Sequence, residues 1–144
     1  MAFKVVTTDA AWRGFIQRAK RGFPIEHCEA IWGVPTVDSF RITDFKRMRV
    51  AAATNTRLVD YDDAEVKRQK WLAQKEGKEF LGTIHTHPWS TADTCGSTTD
   101  HHEAAKDGER VMGVMALHKK KGRFVIETEW WFPQPRIEFE LLPE

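Results

Sequence analysis

One short run of residues limits the possible folds more than any other: Glu79-Phe-Leu-Gly-Thr-Ile-His85, followed by Thr86-His87-Pro88. Its apolar stretch predicts a mostly buried strand over 79–85. Pro88 has no N–H to give to a ladder, so it turns the chain away from the sheet. Side chains alternate faces along an extended chain, and His85 and His87 therefore point the same way, one pleat repeat apart.

The rest of the pattern supplies the layers around that strand. Asp9 is placed to cap a helix in which Trp12, Phe15, Ile16 and Ala19 share one face, with Gly22 as its stop. Residues 28–34 and 37–53 read as extended. Asp62 and Glu65 resemble a capping box that opens a second helix running to about Glu76, ended by Gly77. Ser97 and Thr98 open a third, to Asp107. Val111–Leu117 and Arg123–Trp131 read as strands joined by a solvated turn, His118 to Gly122, with three lysines in it. Trp130 and Trp131 must face opposite ways, so one is expected in the core and the other partly exposed. Helix, strands, helix, strand, helix, strands is the order of a mixed α/β sandwich rather than of a regular βαβ repeat.

Composition sets the outer bounds. At 144 residues, 41% hydrophobic and 30% charged, the chain is expected to be a single domain, 1–144, with a core that needs no disulfides. Lys and Arg total 22 against 21 Asp and Glu, a net charge of +1, which argues against a nucleic-acid partner. Two cysteines, Cys28 and Cys95, make no disulfide framework and favour a reducing compartment. No run suits a membrane helix or a signal peptide, and a cytoplasmic location with no membrane association is the expectation.

The chemistry gathers around the histidine pair. Two imidazoles on one face can reach a single ion, and Asp100, in the first turn of the third helix, can project a carboxylate back at them. Two His and one carboxylate are the protein ligands of a catalytic zinc site with an open fourth position. Ser97 offers a hydroxyl donor near Asp100, and a carboxylate from elsewhere must serve as general base. Glu26 is the first candidate and Glu29, three residues on, the second. Cys95 or Asp93 entering the metal shell in place of Asp100 stays open. His101 and His102 read as exposed helix residues, His27 and His118 as solvated, and Cys28 as core.

These residues resemble the JAMM (MPN-plus) metallo-isopeptidases, whose signature is an upstream Glu, then His-x-His-Pro, then Ser-x-x-Asp. Leu81-Gly-Thr-Ile-His-Thr-His-Pro88 is similar to the family's histidine motif, and Glu26 with Gly33 matches its glutamate motif, although Glu29 stands where a Gly is usual. The interval from Pro88 to Gly96 is two residues longer than the family's. The resemblance covers nearly the whole chain. It implies a curved, mostly antiparallel mixed sheet flanked by helices, of cytidine deaminase-like type. It also implies one Zn2+ per chain on His85, His87 and Asp100, with Glu26 as general base and acid and Ser97 steadying the oxyanion. The activity implied is cleavage of the amide bond after the tail of a ubiquitin-like protein, with Trp89 as a substrate contact. A zinc peptidase acting on a sulfur-carrier-type or phage tail protein is the alternative enzyme, and a non-catalytic scaffold the alternative class. Compactness is similar to the stand-alone prokaryotic members. Oligomeric state is not legible.

Overall fold

The computed structural model describes residues 3–49, 63–88, 109–131 and 137–143. In chain order these form β1 (Phe3–Thr8), α1 (Asp9–Gly22), β2 (Cys28–Pro35), β3 (Ser39–Arg47), α2 (Asp63–Lys75), β4 (Glu79–His87), β5 (Val111–Lys120), β6 (Arg123–Trp131) and β7 (Ile137–Leu142). All seven strands share one sheet, ordered β6-β5-β4-β2-β3-β1-β7. The mixed α+β architecture is the one expected from the sequence. Three of the six strand pairings are antiparallel (β2 with β3, β2 with β4, β5 with β6) and three are parallel (β1 with β3, β1 with β7, β4 with β5).

The two described helices cover opposite faces. On one side Trp12, Phe15 and Ala19 of α1 pack with Val5, Ile31, Phe40, Ile42, Phe45, Leu81, Ile84, Met115 and Trp130. Aromatic rings dominate that core, with Trp12 within 6 Å of Phe15, Phe45, Trp130 and Phe139 between centroids. On the other side Val66 and Ala73 of α2 pack on Cys28, Ala30, Trp32, Met48 and Phe80. The buried Trp32 indole N–H donates to Gln69 Oε1 at 2.9 Å, which fixes α2 on β2 without leaving either polar group unsatisfied.

Several local expectations are corrected. The cap of α1 is Thr8 rather than Asp9: Thr8 keeps extended dihedrals (φ −77°, ψ 152°) and its side chain accepts from the Ala11 N–H at 3.2 Å. Asp9 is the first helical residue and pairs with Arg13 at 2.7 Å, one turn on. β5 extends to Lys120, so the basic turn shrinks to Lys121 and Gly122, both with positive φ (53° and 77°). That is the backbone of a two-residue hairpin turn whose twist matches its strands, and Gly122 takes it without a Cβ clash. Strands β1 and β7 were not foreseen; each is six residues long, and they pair with one another from opposite ends of the chain. The partner of Glu65 in the expected capping box, Asp62, and the expected third helix lie outside the described residues.

No described helix is long and apolar enough to cross a membrane.

Candidate metal centre

β4 lies near the middle of the sheet, between β2 and β5. It is longer than the sequence suggested and carries both histidines within it, at 5% and 4% exposure. Alternation brings His85 and His87 to one face, where their Nε2 atoms stand 3.1 Å apart and their rings are 4.9 Å apart between centroids. Two nitrogens bound to one tetrahedral Zn2+ at about 2.05 Å would be separated by about 3.3 Å. The imidazole pair therefore already has close to the spacing that a shared zinc ion requires. Among the described residues no third His, Cys, Asp or Glu completes a metal-binding group. The expected third ligand Asp100, its alternatives Asp93 and Cys95, the expected oxyanion donor Ser97 and the expected substrate contact Trp89 all lie outside the described residues.

The register of β2 against β4 places one of the two candidate bases, Glu29. Cys28 pairs with His85, and Cys28 belongs to the core under α2, so that face of the sheet carries the histidine pair. Next along the ladder His27 meets Thr86: the Thr86 N–H donates to the His27 carbonyl at 2.9 Å, and the His27 N–H donates to Thr86 Oγ1 at 2.8 Å. Glu26 lies just before β2, outside the paired residues, and is partly exposed. Glu29 falls on the other face, fully buried beneath α1.

There Glu29 has a different task. Its carboxylate accepts from Arg18 Nε at 2.8 Å and Arg18 Nη2 at 2.9 Å, and lies 2.5 Å from His27 Nε2. Burial pushes the Glu29 carboxyl up, but the bonds from His27 and Arg18 outweigh it and hold the group below the ordinary carboxylate range. The Arg18 guanidinium is correspondingly raised, chiefly by its hydrogen bond to Glu29. His27, expected in solvent, is thus buried at 8% exposure against Glu29 and the Phe15 ring. Sequence spacing could not reveal this, because Arg18 comes from α1.

His118 is the second correction. Expected in the solvated turn, it is instead 9% exposed, because β5 runs on past it and pairs it with Val125 of β6. Cys28 is core, as expected. So is Trp130, at 8% exposure, while its neighbour Trp131 is half-buried against Met112 and Val114.

Gly33, part of the glutamate motif, sits at a bulge where β2 changes register against β3. A Cβ there would stand 2.0 Å from the Arg41 carbonyl oxygen, so close approach of the two backbones requires glycine.

This seven-stranded mixed sheet with helices on both faces has counterparts among known proteins. A profile of prokaryotic homologs of the JAB domain matches residues 8–132, and the chain belongs to that family. Similar solved structures include the solution structure of a protein from Desulfitobacterium hafniense, with a TM-score of 0.66, 16% identity, and coverage of 97% of this chain and 95% of that one. Another is a protein from Salinibacter ruber, at 0.61 and 18%, covering 94% and 90% respectively. Both likenesses concern the fold. No match was found among curated proteins.

Proposed function

We propose that this protein is a zinc-dependent isopeptidase that hydrolyses the amide bond after the C-terminal tail of a ubiquitin-like protein. Family membership supports the reading, and one observation carries it: two buried imidazole nitrogens 3.1 Å apart on one face of β4. His85, His87 and Asp100 would hold one Zn2+. When bound, the ion supplies a Lewis acid that acidifies water and polarises a carbonyl.

The chain's own groups do the rest. Glu26 accepts a proton from the attacking water and delivers it to the leaving lysine amine, so that charge never accumulates on either. The Ser97 hydroxyl donates to the oxygen on which negative charge develops. Trp89 borders the groove, and a tail ending in Gly-Gly passes through because it has no side chains to exclude. The partner is a ubiquitin-like protein or its conjugate, encountered in the cytoplasm, and no nucleic acid takes part.

The test is cleavage of ubiquitin-like proteins ending in Gly-Gly and fused through an amide bond to a reporter, by protein carrying about one zinc per chain. Glu26→Gln should lower the rate by at least about 100-fold with zinc content unchanged. Equal rates in the two proteins would show that Glu26 is not the base. Purified protein that takes up no zinc would overturn the metal site and favour a scaffold.

A further inference from the structure

On the sheet face that carries His85 and His87, the proposed chemistry leaves the buried His118 unused. β5 runs parallel to β4, with Val114 beside His85 and Ala116 beside His87. Continuing the alternation, His118 is the next residue of β5 on that face. One strand spacing of about 4.8 Å and one pleat repeat of about 6.6 Å put its Cα about 8 Å from that of His87. It lies at the carboxyl end of the parallel pair, where open α/β sheets place their ligands. His118 flanks the histidine pair from β5.

The imidazole is more than nine-tenths buried, and its Nδ1 has no hydrogen-bond partner among the described residues. A buried, unsatisfied ring nitrogen destabilises a fold, and the same volume of leucine would not. The β5 residue beside His87 is an alanine, at 116, so no bulky side chain on β5 bars the way. The other ionisable groups nearest on this face, Glu127 and Glu129 of β6, pair with Ala116 and Val114 and are exposed, and Lys119 and Lys120 beyond it are exposed too.

We propose that His118 is a substrate-contacting residue, its imidazole hydrogen-bonding the main chain of an extended peptide that lies across the carboxyl ends of β4 and β5. A neutral imidazole offers one donor and one acceptor, the complement of a peptide group. Recognition through the main chain suits a tail of glycines, which has nothing else to recognise. The substrate class rests on the function proposed above.

His118→Leu and His118→Asn test it, the second because its amide keeps a polar atom where Nδ1 stands. For the leucine variant, KM on the reporter fusion should rise about tenfold, the worth of one ordinary hydrogen bond, with kcat and zinc content unchanged. Its Tm should rise by about 3 °C, because a destabilising polar group has gone. The asparagine variant should recover most of the affinity. Unchanged KM in His118→Leu, or a lowered Tm with no rescue by asparagine, would make His118 a core residue and overturn the proposal. If wild-type protein cleaves no fusion, the isopeptidase reading fails, and calorimetric binding of a synthetic peptide ending in Gly-Gly to the zinc-loaded protein still decides His118. Binding about tenfold weaker in the leucine variant supports the contact; equal binding, or none by wild type, overturns it.

Discussion

Replacing Glu29 with leucine tests whether the ionic cluster on the sheet face opposite His85 and His87 holds the fold together. Three charge-assisted contacts end on this fully buried carboxylate, two from Arg18 and one from His27. At about 1.5–3 kcal/mol each, they set a gross loss of about 4.5–9 kcal/mol. Two effects reduce it. The Arg18 side chain is 30% exposed and can be rehydrated, and leucine adds apolar burial of about 2 kcal/mol. A net loss of about 3 kcal/mol remains, within the range for breaking a buried pair. For a chain of this size that lowers Tm by about 9 °C. Combining Glu29→Leu with Arg18→Leu should destabilise less than the sum of the single changes, since the second removes a charge already orphaned. The carboxyl is held below its ordinary value when folded, so its contribution is complete above the unfolded value of about 4.3 and disappears as pH falls through the folded value. Urea unfolding across pH 7 to pH 3 reads both effects. A variant as stable as wild type at pH 7, or a difference that stays constant down to pH 3, would refute the reasoning.

Other substitutions give sharply different outcomes. Asp100→Ala should abolish stoichiometric zinc by elemental mass spectrometry, and retained zinc would move the third ligand to Cys95 or Asp93. Gly33→Ala should destabilise by about 3 kcal/mol in chemical unfolding, because its Cβ meets the Arg41 backbone rather than a movable side chain. Lys78→Ala should cost less than about 1 kcal/mol: its 2.6 Å pair with Asp44 lies near the surface, where water and salt screen it.

How much of this was legible beforehand follows from the range of the forces involved. The strand ending in His-x-His-Pro, the first helix, the hairpin of β5 and β6 and the divergent fates of Trp130 and Trp131 all rest on local periodicity, and a sequence displays periodicity directly. The N-cap was missed by one residue because Thr8 and Asp9 are both good caps, and only the backbone angle at Thr8 selects between them. Strands β1 and β7 were missed for a different reason. Each is only six residues long, and both become strands through pairings remote in sequence, β1 with β3 and β7, and β7 with β1.

The chain by itself determined the mixed α/β class, the residue types able to hold a metal and the parity that turns His85 and His87 the same way, since all of these depend on chemistry and spacing within a few residues. That Glu29 falls on the opposite face from them was decided by the pairing of β2 with β4. That Glu29 is bound to Arg18 from α1, and that His118 is buried within β5 rather than dissolved in a turn, were decided by packing. Those are contacts between segments remote in sequence, and no local pattern encodes their register.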